Sequence, residues 1–320
     1  MAKRFFIGVD LGGTKISAIL CDAECRILAR ARTGTDAGSG ARSVLGRIKD
    51  AIRQVMAQGG VSISDVGAIG VCSPGPLSVS GGVVLYAATL GWRDVPIRQE
   101  LEDEFNLPVC LENDCNAAAY GELMLGAGRG CNDLIYITVS TGVGSGIVAG
   151  GRIVHGKHDA AGEFGHISVE PGGRLCSCGN RGCLQAYASG TSIVQIAEEG
   201  RLAHPGSSLF AATDGSRLTT GMIAGAAREG DGFAKSVWDL AGEKLGQGVS
   251  ILLQLMDPDI IVIGGGVSKA WDLLYPPMVA SASGKVYELI RRDMRIVPAG
   301  LGDDAGALGA VLLAMEGQAG

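Results

Sequence analysis

The order of apolar runs constrains this chain more than any other feature. Residues 4 to 33 read as three strands, RFFIGVD, ISAILCD and RILARAR, joined by the turns GGTK and AEC. That is an antiparallel meander. A helical stretch follows over 41–57, with Val44, Leu45, Ile48, Ile52 and Val55 near helical spacing, and then the strand VGAIGVC at 66–72. Further on come a helix at 96–106, the short strand LPVCLE at 107–112 and a helix opening at Asn113 or Asp114. A second set begins with DLIYITVS at 133–140, a glycine-rich turn and the strand GSGIVAGGRIV, so the meander recurs. Strands first, then alternating helix and strand, met twice, predict a duplicated α/β architecture without a fixed-period repeat. Helical patterns then occupy 191–199, 218–229, 232–256 and 270–290, the strand DIIVIGGGV lies between the last two, and the tail DDAGALGAVLLAMEG reads as a small-residue helix suited to tight packing.

The chain's 320 residues exceed the ~250 at which single cores stop growing, so two domains are expected. With 47% hydrophobic and 19% charged residues it can bury a sizeable interior. A net charge of −6 without a basic run argues against nucleic acid as a partner, since phosphate binding needs clustered Lys and Arg. The N-terminus lacks the apolar core of a signal peptide and no stretch approaches the ~18 apolar residues of a membrane helix, so a cytoplasmic location is expected, with no membrane partner. Nine cysteines are an odd count and read as reduced thiols or metal ligands. Six of them (Cys21, Cys25, Cys72, Cys110, Cys115 and Cys131) are dispersed and read as small buried hydrophobes.

The other three carry the sharpest chemical signal. Within HISVEPGGRLCSCGNRGC, the residues His166, Cys176, Cys178 and Cys183 place three thiolates and an imidazole among turn-forming glycines. This donor set matches a closed, structural tetrahedral zinc site. His155, His158 and His204 have no such partners and read as surface or packing residues.

Two glycine turns follow apolar strands. Asp10, Gly12, Gly13, Thr14 and Lys15 offer backbone N–H groups, a carboxylate, a hydroxyl and a charge to phosphates and a hydrated cation; the competing reading is an ordinary glycine hairpin. STGVGSG at 140–146 is followed by a strand rather than a helix, which disfavours a dinucleotide fingerprint and favours a second phosphate hairpin. Glu112, Asn113 and Asp114 sit at a strand end before an Ala-rich helix, where Asn or Asp is a natural N-cap. The Asn–Asp pair also suits vicinal hydroxyls, and the helix N-terminus favours the ionised carboxylate that a base needs.

Together DLGGTK at 10–15, LENDCNAAAYGE at 111–122, STGVGSGI at 140–147, AGEFGHISV at 161–169, the CxCGxxGC segment at 176–183 and YASG at 187–190 resemble the ROK family (repressors, open reading frames and kinases) of the actin-like and hexokinase-like ATPase superfamily. The resemblance implies two actin-like (ribonuclease H-like) domains with mixed sheets flanked by helices and a sugar and ATP cleft between them. The first domain would span 1–115, with the C-terminal helix 303–320 packed back on it, and the second 116–302, with zinc in segment 166–183. It implies an ATP-dependent hexose kinase, glucokinase-like, acting on the 6-hydroxyl, with Mg2+ and structural Zn2+. Asp114 would be the base. Asn113, Asp114, Glu163, His166, Gln185 and Gly75 would hold the sugar, His166 ligating zinc through its other ring nitrogen. Asp10, Gly12, Gly13, Thr14, Lys15, Thr141 and Gly142 would face phosphates and Mg2+, and Gly264, Gly265 and Gly266 the adenosine side. Family members are often dimers or tetramers, so a homo-oligomer is expected.

One residue departs from the pattern. The family's kinases usually carry glutamate within the segment GCLQAYASG, and this chain has Gln185. Glutamate only accepts hydrogen bonds from hydroxyls, whereas glutamine accepts on one side and donates on the other. Glucose is the expected sugar, N-acetylmannosamine, N-acetylglucosamine, fructose and allose are its competitors, and a non-catalytic sugar-binding or sugar-sensing regulator is the competing class. The family's repressors carry a DNA-binding domain ahead of the kinase-like body, for which the turn beginning at Asp10 is expected to leave no room.

Overall fold

Alternation along the first strand sorts its side chains onto two covered faces. In the computed structural model, which describes residues 4–211 and 217–319, Ile7, Val9 and Leu11 point one way and Phe6 the other. Residues 1–3 of the expected first domain and residue 320 of the expected tail helix lie outside the described residues.

The elements in chain order are β1 (Phe5–Leu11), β2 (Lys15–Asp22), β3 (Ile27–Gly34), α1 (Ala41–Gly59), β4 (Val66–Ser73), β5 (Leu77–Ser78), β6 (Val83–Ala87), β7 (Trp92–Val95), α2 (Ile97–Phe105), β8 (Val109–Asn113) and α3 (Asp114–Leu125). They continue with β9 (Leu134–Val139), β10 (Val143–Ala149), β11 (Arg152–Ile153), α4 (Gln185–Ala188), α5 (Gly190–Glu199), α6 (Ser208–Ala211), α7 (Thr220–Arg228) and α8 (Gly232–Met256). The last are β12 (Ile260–Gly264), α9 (Trp271–Ser283), α10 (Glu288–Asp293), β13 (Ile296–Pro298) and α11 (Ala305–Ala319). Among the described residues no helix is long and apolar enough to cross a membrane.

The first sheet has the order β3-β2-β1-β4-β8, with β1–β2 and β2–β3 antiparallel and β1–β4 and β4–β8 parallel. The second has the order β11-β10-β9-β12-β13. Position for position the two orders correspond, three meander strands and then two that arrive through crossovers, which is the duplication the apolar runs predict. Both are the mixed, helix-flanked sheets of the expected α/β class.

Contacts divide the chain into two compact units. One draws on the residues up to Tyr136, on Gly146–Gly162 and on the chain from Gly300 onward; the other comprises Ile137–Ser145 and Glu163–Ala299. In the first unit Ile7, Val9 and Leu11 pack with Val44, Ile48 and Ile52 of α1, while Phe6, Ile19 and Ala68 meet Ala307, Leu308 and Val311 of α11. The small residues of α11 let it lie close: a Cβ on Gly70 of β4 would stand 1.9 Å from the Ala310 carbonyl oxygen, and one on Gly309 1.7 Å from that of Ala117 in α3. Neither position has room for a side chain.

Two elements differ from the sequence expectation. A small antiparallel sheet, β5-β6-β7, follows the first crossover. Its strands are short and β6 does not alternate in burial, so periodicity carries no signal there. The helix expected over 270–290 is two helices, because α9 caps at Gly284 and the chain re-enters a helix only at Glu288.

Candidate active site

In the first unit the site is built by strand register. Asp10 of β1 pairs with Cys72 of β4, Cys72 with Glu112 of β8, and Ser73 with Asn113. The carboxyl ends of three parallel strands are thus level, the place where open α/β sheets hold ligands. β1 runs into the Gly12–Gly13–Thr14 turn, and β8 runs directly into α3.

Asn113 is the N-cap of α3: its Oδ1 accepts the N–H groups of Cys115 at 2.9 Å and Asn116 at 3.2 Å. Asp114 is the first residue of the helix, and its Oδ1 accepts the Cys115 N–H at 2.9 Å. Loss of hydration pushes the Asp114 carboxyl above its ordinary value, against the lowering effect of the Cys115 side chain and N–H. Desolvation outweighs the hydrogen bonds that favour the ionised form. A carboxylate made more basic by burial suits proton acceptance at neutral pH.

Asp10 is raised to about 6, by burial first and then by the charge of Asp114, with the Cys72 thiol donating at 3.6 Å in opposition. A buried carboxylate whose proton affinity a neighbouring carboxylate raises further makes a site where a divalent cation relieves repulsion, so the residues present fit Mg2+. The adjoining turn is held from both sides: the Gly12 N–H donates to the Lys15 carbonyl at 2.9 Å, and the Thr35 hydroxyl donates to the Gly12 carbonyl at 2.6 Å. The Lys15 ammonium pairs with Asp303 at 3.2 Å, both half exposed. Gly75 takes a φ of 98°, where a Cβ would sit 2.1 Å from the Tyr86 carbonyl oxygen.

The structure adds a pair that the sequence reading missed. Glu112 is only 3% exposed, and its Oε2 lies 2.7 Å from Nε2 of His155. His155 is therefore a partner of the strand-end carboxylate, not a surface residue; His158 is exposed and His204 stacks on Phe233 at 4.1 Å, as expected of surface and packing residues. The available signal was a glutamate at the buried end of an apolar strand, which demands a partner.

In the second unit, the donor atoms of His166, Cys176, Cys178 and Cys183 all lie within 4.8 Å of one another. The Cys178 and Cys183 sulfurs are 3.7 Å apart and His166 Nδ1 is 3.8 Å from the Cys176 sulfur. A tetrahedron with Zn–S bonds of ~2.3 Å has edges of ~3.8 Å, so this donor set fits Zn2+ in both chemistry and spacing. The other ring nitrogen of His166 stands 3.9 Å from Glu163 Oε2, and Glu163 is largely exposed. Gln185 turns its amide toward the cluster, with Nε2 donating to Ser177 Oγ at 3.1 Å and to the Cys176 sulfur at 3.4 Å. Its Oε1 is 3.3 Å from where a Cβ on Gly142 would be.

The turn between β9 and β10 is tied down by the Ser140 N–H donating to the Gly142 carbonyl at 2.9 Å and by the Thr191 hydroxyl donating to the Thr141 carbonyl at 2.9 Å. Ser140, Thr141, Gly190, Thr219, Gly266 and Val267 line a cavity of about 540 Å3. That is the size of a small-molecule site. Gly264 ends β12, and Gly265, at a φ of 88°, passes so close to β9 that a Cβ would lie 2.4 Å from the Val139 carbonyl oxygen. Thr141 and Gly266, far apart in sequence, thus share one cavity.

Comparison with known proteins accords with this geometry. Residues 6–317 match the ROK family. A glucokinase of Halalkalibacterium halodurans is 39% identical, over 97% of this chain and 94% of its own length. Among solved structures, a ROK family glucokinase from Streptomyces griseus in complex with glucose and AMPPNP superposes with a TM-score of 0.84 at 37% identity, covering 98% of this chain and 99% of that one. A ROK hexokinase from Thermus thermophilus gives a TM-score of 0.81 at 34% identity over 99% of this chain and 100% of that one. Sequence, strand order and near end-to-end similarity agree, and this chain belongs to the ROK family.

Proposed function

We propose that the chain is an ATP-dependent hexose kinase that transfers the γ-phosphate to glucose, at the 6-hydroxyl. The observation that carries this reading is Asp114, a carboxylate at the level carboxyl ends of β1, β4 and β8 whose basicity burial raises. The Streptomyces griseus relative, solved with glucose and AMPPNP, supports the choice of sugar and donor.

Asp114, whose Oδ1 accepts the Cys115 N–H, is the carboxylate that takes the proton of the sugar hydroxyl in this proposal. The hydroxyl oxygen then forms a bond to the γ-phosphorus, the bond to the β,γ-bridging oxygen breaks, and ADP departs with that electron pair. Asn113, Asp114, Glu163, His166, Gln185 and Gly75 form the sugar-holding set of the proposal. Asp10, Gly12, Gly13, Thr14, Lys15, Thr141 and Gly142 form the phosphate and metal set. Mg2+ held near Asp10 would neutralise phosphate charge. The cavity that Thr141 and Gly266 line is assigned to the nucleotide, and Gly264 and Gly265, which lead the chain into Gly266, are proposed to belong to the adenosine side. His166 Nδ1, Cys176, Cys178 and Cys183 would hold a structural Zn2+, which supplies cross-links to a segment with little regular structure.

The proposal includes two actin-like domains, 1–115 with the helix 303–320 and 116–302; the matching strand order of the two sheets supports their number, while contacts extend the first unit to Tyr136 and add Gly146–Gly162 to it. It also includes the cytoplasm, whose reducing poise keeps the thiols of Cys176, Cys178 and Cys183 available as ligands. Self-association into a homo-oligomer would give the exposed Leu202, Leu255 and Leu289 a surface to cover.

Gln185→Glu tests the sugar assignment. The donor edge of Gln185 is spent on Ser177 and Cys176, leaving only Oε1 for a ligand, and one mismatched buried hydrogen bond costs ~1 to 3 kcal/mol. The variant should change the kcat/KM ratio between glucose and N-acetylglucosamine by about tenfold or more. An unchanged ratio would remove Gln185 from the sugar set. Phosphorus NMR of the parent's product should show a 6-phosphate; phosphate on another hydroxyl would overturn the assigned acceptor.

A further inference from the structure

A base at Asp114 works only if the end of β8 is held in place. Glu112 lies two residues before Asp114 and is almost wholly buried. A buried carboxylate is costly unless all its acceptor positions are used. Here Oε1 accepts the Asn113 N–H at 2.8 Å and the Asn116 side-chain N–H at 3.0 Å, and Oε2 lies 2.7 Å from His155 Nε2. One carboxylate therefore grips the main chain of the sugar-binding asparagine and the first turn of α3, and a single imidazole from beyond β11 grips the carboxylate. The arrangement carries some cost, since Asn116 Oδ1 is buried without a partner among the described residues.

We propose that His155 is a positioning residue for phosphoryl transfer: by holding Oε2 of Glu112 it fixes the rotamer that presents Oε1 to Asn113 and Asn116, and so fixes the junction from which Asp114 projects. This rests on the assignment of Asp114 as base. His155 touches no reacting atom and acts only through Glu112. The charged groups that face it are Glu112 on β8 and Asp159 in its own loop; the Glu112 hydrogen bond lifts its proton affinity above the ordinary 6.5, desolvation opposes this, and the charges of Glu112 and Asp159 add to the rise. The charged imidazole and the ion pair are present below this raised value and are lost as pH rises through it. Loss of hydration raises the Asp114 carboxyl, which must be ionised to act, so the Asp114 limb of the rate profile lies on the acid side and the His155 limb on the alkaline side.

The test compares parent, His155→Ala, His155→Gln and Asp114→Asn by steady-state kinetics across pH, with melting temperature as a check on folding. His155→Ala should lower kcat by about tenfold with the KM for ATP unchanged and melting within a few degrees of the parent. His155→Gln, which retains an uncharged donor, should match the lower kcat that the parent shows once its imidazole is neutral, above that of His155→Ala, and should lose the alkaline limb. Parent-like kcat in His155→Ala, or an alkaline limb that persists in His155→Gln, overturns the inference. Should His155→Ala fail to fold, the alkaline limb of His155→Gln decides alone. An inactive Asp114→Asn beside parent-like His155 variants would sink this inference and leave the catalytic assignment standing, whereas an active Asp114→Asn would sink the assignment on which both rest.

Discussion

Asp114→Asn is expected to lower kcat by a factor of about 10² to 10⁴, the usual worth of a positioned general base. The amide keeps the shape of the carboxylate and its Oδ1 can still accept the Cys115 N–H, so the cap of α3 survives. What the variant lacks is an atom that takes a proton. The fold should not suffer, because burial disfavours the charge that the native carboxylate carries at neutral pH. Melting temperature in Asp114→Asn should equal or exceed that of the parent. A loss of activity accompanied by a large loss of stability would instead assign Asp114 to the architecture of the helix start.

The second large effect concerns the metal cluster. Between Glu163 and α4 the chain contributes only a short 3-10 turn and two isolated bridges, Ser168 with Cys183 and Leu175 with Arg181. Such a segment depends on cross-links more than on buried area. Cys178→Ser removes one of the four donors while leaving the other three in place. We expect it to lower the melting temperature by roughly 10 °C, given ~2 to 4 °C per kcal/mol in a unit of this size, and to reduce bound zinc below one per chain. Activity should fall with it, because Gln185 donates to the Cys176 sulfur and stands against Gly142 of the turn proposed to hold phosphate. A parent protein that contains no zinc, with a variant of unchanged melting temperature, would contradict the assignment.

The legible parts of the candidate site were those whose residues are local in sequence. His166 to Cys183 falls within one short segment whose glycines announce turns, and three soft ligands beside an imidazole have few other uses. Asn113 and Asp114 were legible because a strand end followed by an Ala-rich helix must have a cap, and a cap at the carboxyl edge of a sheet is where ligands gather. The recurrence of the meander followed from apolar runs, whereas the order of the strands within each sheet did not. The partnership of Glu112 with His155 was not legible, since the two are 43 residues apart and His155 sits in a polar loop with no pattern of its own. Nor was the small sheet of β5, β6 and β7, whose strands are too short for a period to show. Gln185 stands out in the sequence for what it could offer a sugar, yet no pattern there shows that its amide faces Ser177 and Cys176. The competition between helix N-terminus and burial at Asp114 was also out of reach, because desolvation depends on what packs around the site.

The most direct measurement is ADP release from MgATP by the unmodified protein across a panel of hexoses and N-acetylhexosamines. The account predicts turnover that depends on sugar, with glucose giving the highest kcat/KM and ADP formed in step with sugar phosphate. Binding of a sugar without ADP release on any member of the panel would contradict it and make the chain a sugar-binding regulator.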